Sequence, residues 1–269
     1  MLFNFAVLLA GAGFAVAQSS GLSSQCQSAL LSTAASSSAA CLNPSGLISL
    51  VVTNSATSSV IPGVNTWVSG LCSQAACSNS TLQTVVTDIL SGCSTDLSSI
   101  GVDTTNSTAI VTSIQAAYPT VRQLMCLNDT STKTLCVPEL LTNIQSSTTT
   151  LSLNNIVSLV TKLVSGQSTG IPSSAVCTNC TKAAYTVLSQ GLPGVASTAH
   201  SSFSSECGAN YTARSHPLAD GQMPSGIQEA ASTPSSTTST SGTTALSAGS
   251  LNMGAFAVAA LSAAFAIFT

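Results

Sequence analysis

Leu71-Cys72-Ser73-Gln74-Ala75-Ala76-Cys77-Ser78-Asn79-Ser80-Thr81-Leu82 is the stretch on which the fold turns. It leads from two cysteines straight into a helical pattern. After Asn79, which reads as an N-cap, Leu82, Val85, Val86, Ile89 and Leu90 keep the spacing of one helical face, and Gly92 closes it. Val176-Cys177-Thr178-Asn179-Cys180-Thr181 repeats the opening loosely, and a helical pattern follows it as well. Cysteines at the starts of 3.6-period segments predict helices pinned by cross-links. The same period recurs after Ser152, in Leu153, Ile156, Val157, Val160, Leu163 and Val164, ending at Gly166. Pro44 and Pro62 suit the first turns of helices. Ile110, Ile114, Ala117, Val121 and Leu124 form a longer face that Pro119 is expected to kink or split. Thr and Val are good strand formers, so β structure competes. The period favours an all-α, disulfide-stapled helical domain.

Working outward, the ten cysteines are Cys26, Cys41, Cys72, Cys77, Cys93, Cys126, Cys136, Cys177, Cys180 and Cys207. An even count in a secreted chain predicts five disulfides, chosen from about 945 pairings. The cysteines divide into two sets of five in parallel order, Cys26 with Cys126, Cys41 with Cys136, Cys72 with Cys177, Cys77 with Cys180 and Cys93 with Cys207. This order suggests two similar halves, 22–100 and 104–210. The alternative is one continuous domain with coincidental spacing. If the halves are real, full oxidation needs an odd number of bridges between them. The roughly 185 residues involved are enough to bury a core.

The ends place the chain outside the cell. Residues 1–17 read as a signal peptide, with Ala15-Val16-Ala17 before Gln18 as the cleavage site. Residues 243–269 read as a GPI-attachment propeptide: small residues, a polar spacer, then an apolar run from Ala255 to Phe268. The candidate attachment residues are Ser241 and Gly242, or Ser247 and Gly249. Between the cysteine-rich domain, 18–212, and that tail, residues 213–242 are rich in Ser, Thr and Pro and read as an O-glycosylated stalk. The expected location is the outer face of the plasma membrane, held by the GPI lipid, with transfer to the cell wall as an extension.

Charge is scarce. Five basic and eight acidic residues make up 5% of the chain, against about 25% in ordinary soluble domains. Solubility then falls to Ser, Thr and sugar. N-glycosylation sequons occur at Asn79, Asn106, Asn128, Asn179 and Asn210. Five basic residues cannot neutralise many phosphates, which argues against nucleic acid as a partner.

Little points to catalysis. Gly166-Gln167-Ser168-Thr169-Gly170 matches the Gly-x-Ser-x-Gly pattern, but a nucleophile elbow needs a strand before the Ser, and here a helix precedes it. His200 and His216 are the available bases, and His216 lies in the stalk. Cys177-x-x-Cys180 lacks the βαβ setting of a redox dithiol and a matching second pair for zinc, so both cysteines read as bridge members. Asp88, Asp96, Asp103, Asp129, Glu139 and Glu206 form no close pair in sequence, although a glycosidase dyad could assemble from distant residues. Trp67, the single Trp, reads as core packing with Val64, Val68 and Leu71 rather than as a sugar platform. No catalytic residue, cofactor or metal site is expected.

The texts Cys41-Leu42-Asn43-Pro44-Ser45-Gly46-Leu47 and Trp67-Val68-Ser69-Gly70-Leu71-Cys72, continuing through Cys77-Ser78-Asn79-Ser80-Thr81-Leu82, carry a resemblance. With the two ends and the ten cysteines, the chain resembles a family of secreted, GPI-anchored fungal proteins, chiefly from basidiomycetes, over roughly Cys26 to Cys207. That family has no assigned activity, so the resemblance implies location and class, not mechanism. The eight-cysteine fungal haem-binding module has closely spaced cysteines and a ligating Asp that are not matched here. Hydrophobins carry a Cys-Cys pair that is absent.

The leading expectation is a non-enzymatic surface or cell-wall glycoprotein with a structural, adhesive or interaction role, its partners wall glycans or surface proteins. The alternatives are an extracellular binder of an apolar small molecule, such as a sterol or fatty acyl chain, and a wall-modifying enzyme.

Overall fold

Helix formation begins with side-chain caps. Ser78 Oγ accepts the amide of Thr81 at 3.1 Å, which starts a helix over Asn79–Gly92. Thr178 Oγ1 accepts the amide of Thr181 at 3.3 Å and starts another over Asn179–Gly191. The capping residue of the first helix is therefore Ser78, one residue before the Asn79 expected from sequence; the hydroxyl is placed to reach the third helical amide. The two caps share the register Cys-Ser/Thr-Asn-x-Thr, so Cys77 corresponds in position to Cys177 rather than to Cys180.

The computed structural model describes residues 23–53, 57–99, 102–152, 170–208 and 223–230, together with Asn155, Ile156, Leu159 and Tyr211. The leader 1–17, the tail 243–269, the four attachment candidates Ser241, Gly242, Ser247 and Gly249, Asn210, His216, residues 166–169 and most of the helix expected after Ser152, with Leu153, Val157, Val160, Leu163 and Val164, lie outside the described residues. The helices are α1 Ser24–Ala35, α2 Pro44–Thr53, α3 Ile61–Ser73, α4 Asn79–Gly92, α5 Ser94–Ser99, α6 Ser107–Met125, α7 Cys136–Ser147, α8 Ser173–Val176, α9 Asn179–Gly191 and α10 Pro193–Cys207, with a 3₁₀ turn at Ser37–Leu42. Strands β1 Leu127–Asp129, β2 Thr134–Leu135 and β3 Ile227–Glu229 form a small antiparallel sheet in the order β2-β1-β3. The domain is mostly helical, as the periodicity predicts. Among the described residues no helix is long and apolar enough to cross a membrane.

One stripe of α6 grips the connector between α3 and α4. Gln115, Tyr118, Arg122 and Cys126 follow each other at three- or four-residue steps and so share a face. Gln115 Nε2 donates to the Asn79 carbonyl at 2.7 Å. The Cys77 amide donates to Tyr118 Oη at 2.9 Å. Arg122 donates to the carbonyls of Leu71 and Gln74. Cys126, just past the helix end, bridges to Cys72. Within the connector, the Gln74 carbonyl and the Cys77 amide thus find their partners on α6. Holding this face is also what keeps α6 as one 19-residue element through Pro119, which neither splits nor ends it; the proline ring sits on the exposed side.

A second lock joins α2 to α3. Asn43, in the left-handed region at φ 49°, donates from Nδ2 to the Trp67 carbonyl at 2.9 Å. Trp67 Nε1 donates to the Leu42 carbonyl at 3.1 Å. Gly46 and Gly70 leave the room this needs: a Cβ on Gly70 would stand 2.1 Å from Asn43 Nδ2 and one on Gly46 2.6 Å. Trp67 is therefore a packing and hydrogen-bonding residue.

The five disulfides are Cys26–Cys93, Cys41–Cys77, Cys72–Cys126, Cys136–Cys180 and Cys177–Cys207, and no cysteine is free. Four lie within the two sets of five; Cys72–Cys126 alone crosses between them, an odd number as parity demands. Apolar side chains gather beside these bridges. Leu124, Leu127, Val187 and Leu188 pack around Cys136 and Cys180. Val60, Val64 and Val68 pack around Cys72 and Cys126. Ile144, Leu151, Val176 and Phe203 form a third cluster, with Cys177 and Cys207 at its edge.

Residues 223–230 depart from the sequence expectation. They fall in the stretch assigned to the stalk, yet β3 pairs with β1 through Leu127↔Glu229, Asn128↔Gln228 and Asp129↔Ile227, and Ile227 is buried. The surrounding Ser, Pro and Gly hid a strand of three residues. Folded structure accordingly reaches Ala230, beyond the 212 boundary.

Candidate functional site

Among the described residues, acidic and sulfur side chains come together at the β1–β2 hairpin and the start of α7. Asp129 ends β1, and Glu139 lies in the first turn of α7, ten residues on. A carboxylate oxygen of each and Cys180 Sγ lie within 4.8 Å of one another. Sequence spacing did not reveal this pair; the hairpin folds it together.

The hydrogen bonds show what the pair does. Asp129 Oδ1 accepts from Ser131 Oγ at 2.6 Å and from the Ser131 amide at 2.7 Å. The Ser131 hydroxyl and then its amide hold the Asp129 carboxyl below its usual range, outweighing the opposing effect of burial. Glu139 Oε2 accepts from Thr132 Oγ1 at 2.8 Å and Thr134 Oγ1 at 3.1 Å. Lys133, at φ 58°, forms the turn between those threonines. An acid in the first turn of α7 also suits the positive end of the helix. These bonds all come from the hairpin, so the carboxylates shape the turn and seat it on α7. Cys180 Sγ is committed to Cys136 and is no thiolate ligand. Asp129, held ionised, suits an acceptor of hydrogen bonds better than a proton donor.

The second grouping lies on α9 and α10. His200 Nδ1 meets Tyr185 Oη at 2.8 Å, and His200 Nε2 meets Ser204 Oγ at 3.5 Å. The imidazole is exposed. Behind it Phe203 packs edge-on to Tyr185 and stacks with Tyr211, ring centroids 5.2 and 6.2 Å away. Tyr211 Oη donates to the Thr178 carbonyl at 2.7 Å, and burial pushes its phenol well above the usual tyrosine range. The aromatic rings thus spend themselves on tying α10 to the start of α9. Of the Gly-x-Ser-x-Gly pattern, Gly170 alone is described, at φ 70°.

The remaining residues singled out by sequence fall as follows. Cys177 and Cys180 do not pair with each other; they bridge to Cys207 and Cys136. Asn79, Asn106 and Asn179 are exposed at helix starts, and Asn106 Oδ1 caps α6 by accepting the Ala109 amide at 3.2 Å. Asn128 sits in the central strand with its Oδ1 buried and without a partner. Asp88 and Glu206 are exposed. Asp103 accepts from Thr105 in a local turn. Asp96 accepts from the Ser23 amide and hydroxyl at 2.8 and 2.6 Å.

No protein-family model, no curated protein and no solved structure matches this chain.

Proposed function

We propose that the chain is a non-enzymatic, GPI-anchored surface glycoprotein of the fungal kind it resembles, carrying a helical head on a Ser/Thr-rich stalk for a structural, adhesive or interaction role at the cell wall. The observation that carries this reading is the pairing of all ten cysteines into five bridges. Such a head persists in an oxidising compartment, and reducing cytosol would open it. Two further features support it. Asn79 and Asn106 present their sequons at the surface, whereas Asn179 is exposed but followed by the buried Cys180 and Thr181. The acids that come together at Asp129 and Glu139 are occupied by their own hairpin.

The test is release from intact cells by a phosphatidylinositol-specific phospholipase C, followed by peptide N-glycosidase treatment. Release into the medium with a mass drop on deglycosylation is expected. A protein that stays in the cell, or one released with no attached sugar, contradicts the proposal.

A further inference from the structure

Strand β3 is held differently from the rest of the described fold. Each other described helix or strand lies within a disulfide loop or, like the β1–β2 hairpin, between bridged residues at both ends, Cys126 and Cys136. β3 lies beyond Cys207, the last cysteine. Its attachment is wholly non-covalent. Thr130 donates to the Gly226 carbonyl from its amide at 2.8 Å and from Oγ1 at 2.9 Å. The Ala230 amide donates to the Cys126 carbonyl at 2.7 Å. Ile227, 6% exposed, fills a slot beside Leu124, Leu127 and Val187. A unit this small can open without disturbing the cross-linked head.

Opening leaves two things uncovered: one backbone edge of β1 and the apolar slot of Ile227. A bared strand edge is a template for another strand. The segment that fits this one in register, turn and side chain is residues 226–230 of a second copy, including Gly226 at φ 87°. Eleven residues, 212–222, separate Tyr211 from the strand segment; at up to about 3.5 Å each they span roughly 38 Å, enough to reach a neighbouring head. Exchange of identical elements makes a dimer with no new contact chemistry.

We propose that this chain self-associates by exchanging β3 with a second copy of itself. The exchange does not depend on the lipid anchor. The test mixes isotopically labelled and unlabelled full-length protein and follows mixed dimers by native mass spectrometry. Mixed dimers should grow with concentration and time. Ile227→Asp should abolish them, speed hydrogen exchange at 127–130, and leave all ten cysteines resistant to alkylation. Gln228→Pro, which interrupts the pairing opposite Asn128, should do the same and stands in if the Asp variant loses its bridges. Monomer alone at millimolar concentration, or dimers undiminished in these variants, overturns the proposal.

Discussion

Arg122 on α6 donates from Nη1 to the carbonyl of Leu71, in the last turn of α3, at 3.0 Å, and the arginine is only 6% exposed. Helix C-termini carry unpaired carbonyls and partial negative charge. The guanidinium meets both needs, reaching Gln74 as well. Arg122→Met should leave the Gln74 carbonyl without its donor and the Leu71 carbonyl with the Gln74 amide alone, at 3.3 Å, and lower the unfolding free energy by about 1–3 kcal/mol. Arg122→Lys, a single point donor, should fall between. Urea unfolding of the oxidised protein, followed by far-ultraviolet circular dichroism, measures both.

Cys72–Cys126 closes the same junction covalently. Its sequence separation of 54 predicts roughly 4 kcal/mol from restriction of the unfolded chain. Cys72→Ala with Cys126→Ala should lose an amount of that order. Because Arg122 grips the residues on either side of Cys72, the triple variant should lose less than the sum. Equal, additive losses would show that the two contacts act independently.

Trp67 is the single Trp and reports on the α2–α3 lock. Gly70→Ala would drive a methyl into Asn43, costing about 1–3 kcal/mol by overpacking. Asn43→Ala loses both the side-chain bond and an easy left-handed backbone, whereas Asn43→Gly keeps the backbone and should be milder by about 0.5–1 kcal/mol. Gly70→Ala and Asn43→Ala should shift tryptophan emission to longer wavelength. Unchanged emission and unchanged unfolding midpoints would remove the lock from the fold's support.

Helices α2, α3, α4, α6 and α9 were legible because their apolar faces, prolines and terminal glycines stand in the local text. Leu82 to Leu90 and the stop at Gly92 appear as read. The strands were not. β1 and β2 are three and two residues long, too short for alternation to show, and β3 needs a partner about 100 positions away. The Asp129–Glu139 pair was hidden for the same reason: a hairpin turn, not a helical repeat, brings it together. Pro119 does not split α6, because a proline on the exposed side of a helix held elsewhere by Tyr118, Arg122 and a bridge leaves the element continuous.

Acid should weaken the head in a defined window. Asp96, Asp103 and Asp129 are all held below the ordinary carboxylate range, each chiefly by a neighbouring hydroxyl: Ser23, Thr105 and Ser131. A depressed folded value means the contribution is present above the unfolded value, about 3.9, and is lost as pH falls through the folded one. Melting temperature should therefore hold near neutrality and decline below about pH 4. Asp96→Asn, which weakens the tie to Ser23 at the start of α1, should melt lower at pH 7, with the gap to the parent narrowing as pH falls below about 4. A constant gap across that range contradicts the assignment.

The most direct test of an oxidised extracellular head is a disulfide map of protein taken from its own cells. Free thiols are blocked at once, and digestion at acid pH suppresses exchange. All ten cysteines should resist blocking, and the peptide holding Cys72 should travel with the one holding Cys126. Blocked thiols, or Cys72 joined to a partner within its own set, would contradict the fold and the compartment together.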